Sequence, residues 1–214
     1  MDTLSLKLKH ACFEGNLNEV QRLIEAGADV NGTDPYGSGT LLTFHPEIIE
    51  YLLSHGADPN LQTNENGASV LAGLAYVNQL ECVRVLLRHR ANPNRGRAES
   101  GETPLHHAVV GSEPDRSALV KLLLDHGANP NAKTVPGILS YNFWRDARTR
   151  GETPLHRAAA YSSEETIKVL LAAGADRAMR DANGDSPVGW ASWHLRPKPI
   201  VDLLNVDTTG HEAA

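Results

Sequence analysis

A six-residue motif, Gly-Glu-Thr-Pro-Leu-His, occurs twice in this chain, at Gly101–His106 and again at Gly151–His156. Each copy is followed by an apolar, helix-like segment that ends in Leu-Leu-x-x-Gly-Ala. A motif that returns after such a long interval indicates an array of small stacked units rather than one closed core. Arrays of this kind present extended surfaces, and they are typical of binding proteins rather than of enzymes.

Apolar residue pairs near the end of each unit measure the spacing of the array. The first residues of these pairs are Leu23, Leu52, Leu86, Leu123, Leu170 and Leu203. They are 29, 34, 37, 47 and 33 residues apart, so the underlying step is close to 33. The spacing predicts one domain over residues 1–214 with about six units, at 3–36, 37–66, 67–100, 101–150, 151–183 and 184–207, and a tail at 208–214.

The fifth unit shows why each repeat is predicted to contain two short helices. Thr153 can cap a helix N-terminus, and Pro154 then occupies the first helical position, where its missing N–H costs nothing. Ser163 can cap a second helix, and Gly174 suits the left-handed conformation that ends one. Two short helices cannot bury their apolar stripes alone, so the units must stack on one another.

The period and the Thr-Pro-Leu-His signature resemble those of the ankyrin-repeat family. The resemblance covers roughly residues 3–207, and it is most specific in the fourth and fifth units. It implies an all-α solenoid of about six helix–turn–helix units, joined by short β-hairpin-like fingers and capped by the first and sixth units. In the family the signature histidine hydrogen-bonds within and between repeats, and the resemblance gives this role to His106 and His156.

Two units depart from the regular length. The second is short, and Gly39–His45 leaves room for barely one turn of a first helix before Pro46, which suits the start of the second helix. The fourth carries extra residues around 112–116, which we place in the bend between its helices. Both changes are interpreted as tolerated variations in loops.

The largest departure is an insert of about 14 residues, which extends the finger over residues 132–150. This insert contains Tyr141, Phe143, Trp144 and Arg145. Tyrosine, tryptophan and arginine are the side chains that contribute most to binding hot spots. Two interpretations remain open, because the insert either binds a partner or folds its aromatic side chains back onto the neighbouring repeats.

The resemblance also implies that inner helices and finger tips form a concave recognition surface. The candidate partner-binding residues on the inner helices are Tyr76, His107, Arg157, Tyr161 and Trp190, and those on the finger are Tyr141, Phe143, Trp144 and Arg145. For Trp190 and the nearby Trp193, packing in the terminal cap is an equal alternative to binding.

The connections between units are rich in arginine, although the chain has a net charge of −6. A locally basic, aromatic rim favours a protein partner with an acidic surface, because arginine pairs with carboxylates through two hydrogen bonds. The alternative is a solvated rim that is partly paired with its own carboxylates. The overall negative charge argues against a nucleic-acid partner.

Catalytic and metal-binding motifs are missing from the sequence, which has no GxSxG, HExxH, phosphate-binding loop or paired-cysteine pattern. We therefore predict no catalytic residue, no cofactor and no metal ligand. Cys12 and Cys82 are interpreted as buried apolar groups in a reducing compartment, which predicts a cytoplasmic location. Neither a secretory signal nor a membrane-spanning stretch is evident.

These observations predict a monomeric protein-interaction module, not an enzyme, that presents a concave aromatic and basic surface and a long finger to a protein partner. A stand-alone inhibitor or immunity-type protein is one alternative. A small-ligand binder or enzyme with a pocket under the insert is another.

Overall fold

Helices make up nearly all of the regular structure. A computed structural model describes residues 3–33, 39–63, 67–110, 115–140 and 148–205. Within these ranges the chain forms eleven helices and one two-stranded ribbon. The expected all-α repeat solenoid is confirmed.

The helices are short and follow one another in pairs. Their bounds are α1 Thr3–Phe13, α2 Leu17–Glu25, α3 Pro46–Ser54, α4 Val70–Tyr76, α5 Leu80–Arg88, α6 Pro104–Ala108, α7 Ser117–Asp125, α8 Pro154–Tyr161, α9 Glu164–Ala172, α10 Pro187–Trp193 and α11 Lys198–Leu204. The strands are β1 Gln62–Thr63 and β2 Ala68–Ser69.

The helices stack in two layers. The first helices of the third to sixth units, α4, α6, α8 and α10, pack on one another and form the inner layer. The second helices, from α2 and α3 through α5, α7 and α9 to α11, form the outer layer. The predicted leucine positions are fully buried between the layers at Leu23, Leu52, Leu86, Leu123 and Leu170. In the sixth unit the fully buried leucine is Leu204 rather than Leu203.

The second unit forms no helix over residues 39–45, where the sequence left room for barely one turn. Pro46 begins α3 at the predicted position and holds His45 in extended backbone. The Thr43 hydroxyl donates to the Cys12 carbonyl over 2.6 Å. The His45 ring fills the space where a side chain at Gly15 would lie. This irregular segment is therefore fixed by contacts with the first unit.

Short fingers connect the units, as the family resemblance implies. Strands β1 and β2 are antiparallel, with Gln62 opposite Ser69. Isolated antiparallel bridges join Thr33 to Gly39 and Leu139 to Arg148. A ladder of asparagines links consecutive turns, because the side-chain oxygen of one unit accepts the backbone N–H of the next. Its steps are Asn31 to Asp58, Asn60 to Asn92, Asn94 to Asn129 and Asn131 to Asp176.

Both cysteines are buried and unpaired, as expected. Burial raises the pKa of Cys12 to about 12 and that of Cys82 to about 11, so neither is a reactive thiolate at neutral pH. Across the described residues, every helix is too short or too polar to cross a membrane.

Candidate partner-binding cleft

The two copies of the six-residue motif fold in the same way. In the first copy, the Thr103 backbone N–H donates to Nδ1 of His106 over 3.2 Å, and Nε2 of His106 lies 3.3 Å from the Glu152 carbonyl. In the second copy, Nε2 of His156 lies 3.0 Å from the Asp185 carbonyl. The expected role of both histidines, bonding within a repeat and to the next one, is confirmed.

This geometry requires neutral imidazoles. Nδ1 of His106 accepts a backbone N–H, so its proton must sit on Nε2, which faces a carbonyl oxygen. Burial, followed by the charge of Arg157, lowers the pKa of His106 to about 3. Burial lowers the pKa of His156 as well. Both side chains therefore hold the repeats together as uncharged hydrogen-bonding groups.

Three charged side chains form an ionic cluster inside the solenoid: Glu102, Glu152 and Arg157. Arg157 is fully buried, and each glutamate is 1% exposed. Nη2 of Arg157 lies 2.7 Å from Oε1 of Glu102 and 2.6 Å from Oε1 of Glu152. Nε of Arg157 donates to the same Glu152 oxygen over 2.9 Å. One guanidinium therefore joins the fourth repeat to the fifth.

The ionic cluster also anchors the base of the insert. The Ser140 hydroxyl donates to Oε1 of Glu102 over 2.6 Å, and the Thr134 hydroxyl donates to Oε2 of Glu152 over 2.7 Å. The Arg150 backbone N–H donates to the same Glu152 oxygen over 2.6 Å. Both ends of the insert thus converge on buried carboxylates.

The carboxylates of the ionic cluster stay ionised. Burial alone would raise the pKa of each glutamate, but the charge of Arg157 opposes it and hydrogen bonds add to that effect. The net result lowers the pKa of Glu102 to about 2 and lowers that of Glu152. The three groups together carry one negative charge at neutral pH, which their hydroxyl and N–H donors help to satisfy.

A cleft of about 340 Å³ lies beside the ionic cluster, between the base of the insert and helices α8 and α10. Its lining residues are Arg148, Arg150, Glu152, Tyr161, Asp185, Trp190, Trp193 and His194. Aromatic rings and guanidinium groups therefore meet in one concave site at the C-terminal end of the described chain.

One wall of the cleft is aromatic. The Trp190 ring packs edge-on against His156, with 5.6 Å between centroids, and its indole N–H donates to Oδ2 of Asp181 over 3.1 Å. The Tyr161 and His194 rings pack edge to face at 4.9 Å. Trp193, by contrast, is 76% exposed. Trp190 thus packs in the terminal unit and lines the cleft, whereas Trp193 offers an exposed aromatic surface.

Another wall of the cleft, next to the aromatic one, is cationic. The Arg150 guanidinium carbon lies 5.9 Å from the centre of the Trp190 ring, a cation–π arrangement. Nη1 of Arg148 donates to the Gly137 carbonyl over 2.7 Å. Within the described part of the chain, neither arginine has a carboxylate at ion-pair distance. Burial, then the charges of Arg196 and Arg150, lower the pKa of His194, so this ring adds no charge at neutral pH.

The structure brings together some of the predicted site residues and separates others. Tyr161 and Trp190 line the cleft. Tyr76 is half-buried at the end of α4 and does not line it. His107 and Arg157 are 6% and 0% exposed, so their side chains lie inside the repeat stack and not on the expected surface. The finger residues Tyr141, Phe143, Trp144 and Arg145 lie outside the described residues.

Burial of His107 and Arg157 has a physical reason. The fourth and fifth repeats are joined through Glu102, whose carboxylate forms an ion pair with Arg157, and the charge of Glu102 partly opposes the effect of burial on the pKa of His107. Sequence reasoning gave no role to Glu102 and Glu152. The available signal was a glutamate at the same position of both motif copies, next to residues that form the core.

Metal binding finds no support in the described ranges, where no group of three or more histidine, cysteine, aspartate or glutamate side chains is placed to hold an ion. The carboxylate of Asp181, close to the cleft, is already occupied by hydrogen bonds within the protein. It accepts the backbone N–H groups of Asn183 and Asp185, each over 2.9 Å, and the indole N–H of Trp190.

Comparison with known proteins agrees with the fold. Family models for ankyrin repeats match residues 41–134 and residues 155–204. The ankyrin repeat protein YahD of Escherichia coli (strain K12) is 31% identical over 178 residues, which cover 80% of this chain and 77% of YahD. This chain belongs to the ankyrin-repeat family, whose repeats are protein–protein interaction modules.

Two mammalian relatives are much longer than this chain. The B-cell lymphoma 3 protein homolog of Mus musculus is 27% identical over 192 residues, which cover 86% of this chain and 38% of the relative. The NF-kappa-B inhibitor delta of Homo sapiens is 34% identical over 125 residues, which cover 56% of this chain and 34% of the relative. The similarity to these proteins is therefore confined to about a third of their length.

Proposed function

We propose that this chain binds a protein partner through the inner-helix side of its fifth and sixth repeats, with the cleft at the centre of the contact. The observation that carries the proposal is the meeting of Tyr161, Trp193 and two arginines in one concave site. Tyrosine, tryptophan and arginine are the side chains most enriched in binding hot spots. An exposed tryptophan such as Trp193 buries a large apolar surface when a partner covers it, which favours binding.

Rigidity supports the same proposal. Arg150 is held at its backbone by Glu152, and Trp190 is held by Asp181 and His156. Groups that are already fixed lose little conformational entropy when a partner binds. The ionic cluster thus acts as a support that presents the cleft in one arrangement.

An acidic partner surface fits the cationic wall of the cleft. Arg148 and Arg150 are exposed, while the charge of Glu152 is opposed by Arg157 inside the protein. The finger residues Tyr141, Phe143, Trp144 and Arg145 extend the proposed surface, because the base of the insert is itself one wall of the cleft. Tyr76, farther along the inner layer, is a more distant extension.

A stand-alone inhibitor is a second candidate of the same kind, and the similarity to NF-kappa-B inhibitor delta favours it. Such a protein would use the same surface to block its target. A small-ligand binder is the candidate from another class. A volume of about 340 Å³ lies at the lower end of the range for small-molecule sites, which is the observation that favours it.

Capture of the partner from native lysate on the immobilised full chain tests the proposal. Trp193→Ala should weaken the captured complex by on the order of 2 kcal/mol, with an unchanged Tm, because its side chain is exposed and supports no core. Phe13→Ala is the matched control, since Phe13 is 66% exposed at the opposite end of the solenoid. Loss of the partner with Phe13→Ala and not with Trp193→Ala would place the contact elsewhere.

A shortened finger separates the two roles of the insert. Replacing residues 141–147 by three glycines keeps Ser140, Thr149 and the Leu139–Arg148 bridge, which hold the base. If Tyr141, Phe143, Trp144 and Arg145 contact the partner, this variant should lose affinity and keep its Tm. An unchanged affinity would remove the finger from the proposed surface while leaving the cleft in it.

A further inference from the structure

We infer that the cleft takes a short acidic segment of the partner, with one Asp or Glu side chain on Arg148 and Arg150 and a nearby aromatic or large aliphatic side chain on Trp193. This inference rests on the proposed function and names the chemistry of the segment that is bound.

The cationic wall is built to receive a carboxylate. The Arg150 backbone is fixed by Glu152, and its guanidinium lies over the Trp190 ring, which leaves the edge of the guanidinium for hydrogen bonding. Within the described residues, Arg148 donates from one nitrogen, Nη1, to the Gly137 carbonyl. A guanidinium binds a carboxylate through two parallel N–H···O bonds, and each such bond is stronger than one between neutral groups.

Among the described residues, the acidic groups near the cleft form no ion pair with this wall. Glu152 is paired with Arg157, and Asp181 is occupied by two backbone N–H groups and the Trp190 indole. Asp185, half-buried before α10, is the other carboxylate of the lining. It makes the side of the cleft next to α10 unfavourable for an acid. An acidic side chain is therefore directed toward the insert side, and a basic one is repelled there.

The size of the cleft sets the spacing within the segment. A sphere of about 340 Å³, the volume of the cleft, is roughly 9 Å across, and an extended chain advances about 3.3 Å per residue. The site therefore holds two or three residues in extended form. An acidic side chain on the arginines and an apolar one on Trp193 must then lie within two positions of each other.

Panning a random 12-residue peptide library on the full-length chain tests the inference. Enriched peptides should carry Asp or Glu within two positions of Trp, Phe, Tyr, Leu or Ile. A synthetic peptide of this kind should lose about tenfold in affinity when its acid is changed to the corresponding amide, because a charged hydrogen-bonded pair becomes neutral. On Arg150→Gln, which leaves Arg148 in place, the preference for the acidic form should fall well below tenfold.

Arg84→Gln is the matched control, because Arg84 is an exposed arginine on outer helix α5. This variant should keep the tenfold preference for the acidic peptide. Enrichment of basic or uncharged peptides, no enrichment at all, or an equal preference on Arg150→Gln and the unaltered protein would each overturn the inference.

A different experimental result would contradict the proposed function. A lysate partner that is lost with Trp193→Ala but indifferent to Arg150→Gln would leave the interaction surface in place and overturn only the acidic segment. A partner indifferent to both variants, together with acidic peptides that depend on Arg150, would retain the peptide site and overturn the cleft as the place where the captured partner docks.

Discussion

The two copies of the six-residue motif share a backbone and a histidine network, yet they differ at the next residue, which is His107 after the first copy and Arg157 after the second. Both side chains are buried. His107 remains uncharged near Glu102, whereas Arg157 joins Glu102 to Glu152. The same repeat position thus holds a buried neutral histidine in the fourth unit and, in the fifth, a buried arginine that joins two units beside the insert and the cleft.

The largest effect should come from breaking this anchor. Arg157→Met removes the cation and leaves Glu102 and Glu152 buried without a counter-charge. Loss of one partner from a buried ion pair costs about 3–5 kcal/mol. Urea unfolding at neutral pH should show a decrease of this size in the free energy of unfolding, and partner binding should weaken because Arg150 loses its fixed support.

Removing the charges together is the control for that variant. Arg157→Met combined with Glu102→Gln and Glu152→Gln should recover most of the lost stability, because no uncompensated charge remains. Lys168→Met removes an exposed cation that pairs with Glu164, and it should change stability by less than about 1 kcal/mol. If Arg157→Met lowered the free energy of unfolding no more than Lys168→Met does, the ionic cluster would contribute little to stability.

A smaller effect, on the pH dependence of the free energy of unfolding, should come from His107, which the second copy replaces by Arg157. Burial, opposed by Glu102 and reinforced by Arg157, lowers the pKa of His107 to about 4, whereas an unfolded histidine titrates near 6.5. The unfolded chain therefore binds more protons between these values, and the native state loses stability as pH falls from 6.5 through 4. His107→Gln should reduce this loss by on the order of 2 kcal/mol.

The measurement is the free energy of unfolding in urea at pH 7 and at pH 4.5 for the unaltered protein and for His107→Gln. A residual pH dependence is expected in the variant, because His106 and His156 also have lowered pKa values. Identical pH profiles for the two proteins would mean that His107 is not a buried neutral group. Glu102 contributes to the pH dependence of both proteins only near the lower end of this window, because its pKa is about 2 in the native state and about 4.3 in the unfolded chain.

Local features of the two copies were predictable from sequence, and the contact between them was not. The Thr–His network spans three residues and follows from the family signature. Pro46 marked the start of α3, because proline is favoured at the first position of a helix. Arg157 and Glu102 lie 55 residues apart, and their pairing depends on how the repeats stack. The family resemblance placed both Arg157 and His107 on the concave surface, and nothing in the sequence near them showed that they pack inside the stack of repeats.

The smallest effect should be the same in both copies. The hydroxyls of Thr103 and Thr153 lie 2.9 and 2.8 Å from Nδ1 of the histidine in their own copy. Thr103→Val and Thr153→Val each remove one hydrogen bond at a buried helix start, which should cost about 1 kcal/mol in unfolding experiments. Because this network is local, the two costs should be equal within error and should add in the double variant. A clearly larger cost at Thr153 would show that the ion pairs of Arg157, which lies in α8, also stabilise the start of this helix.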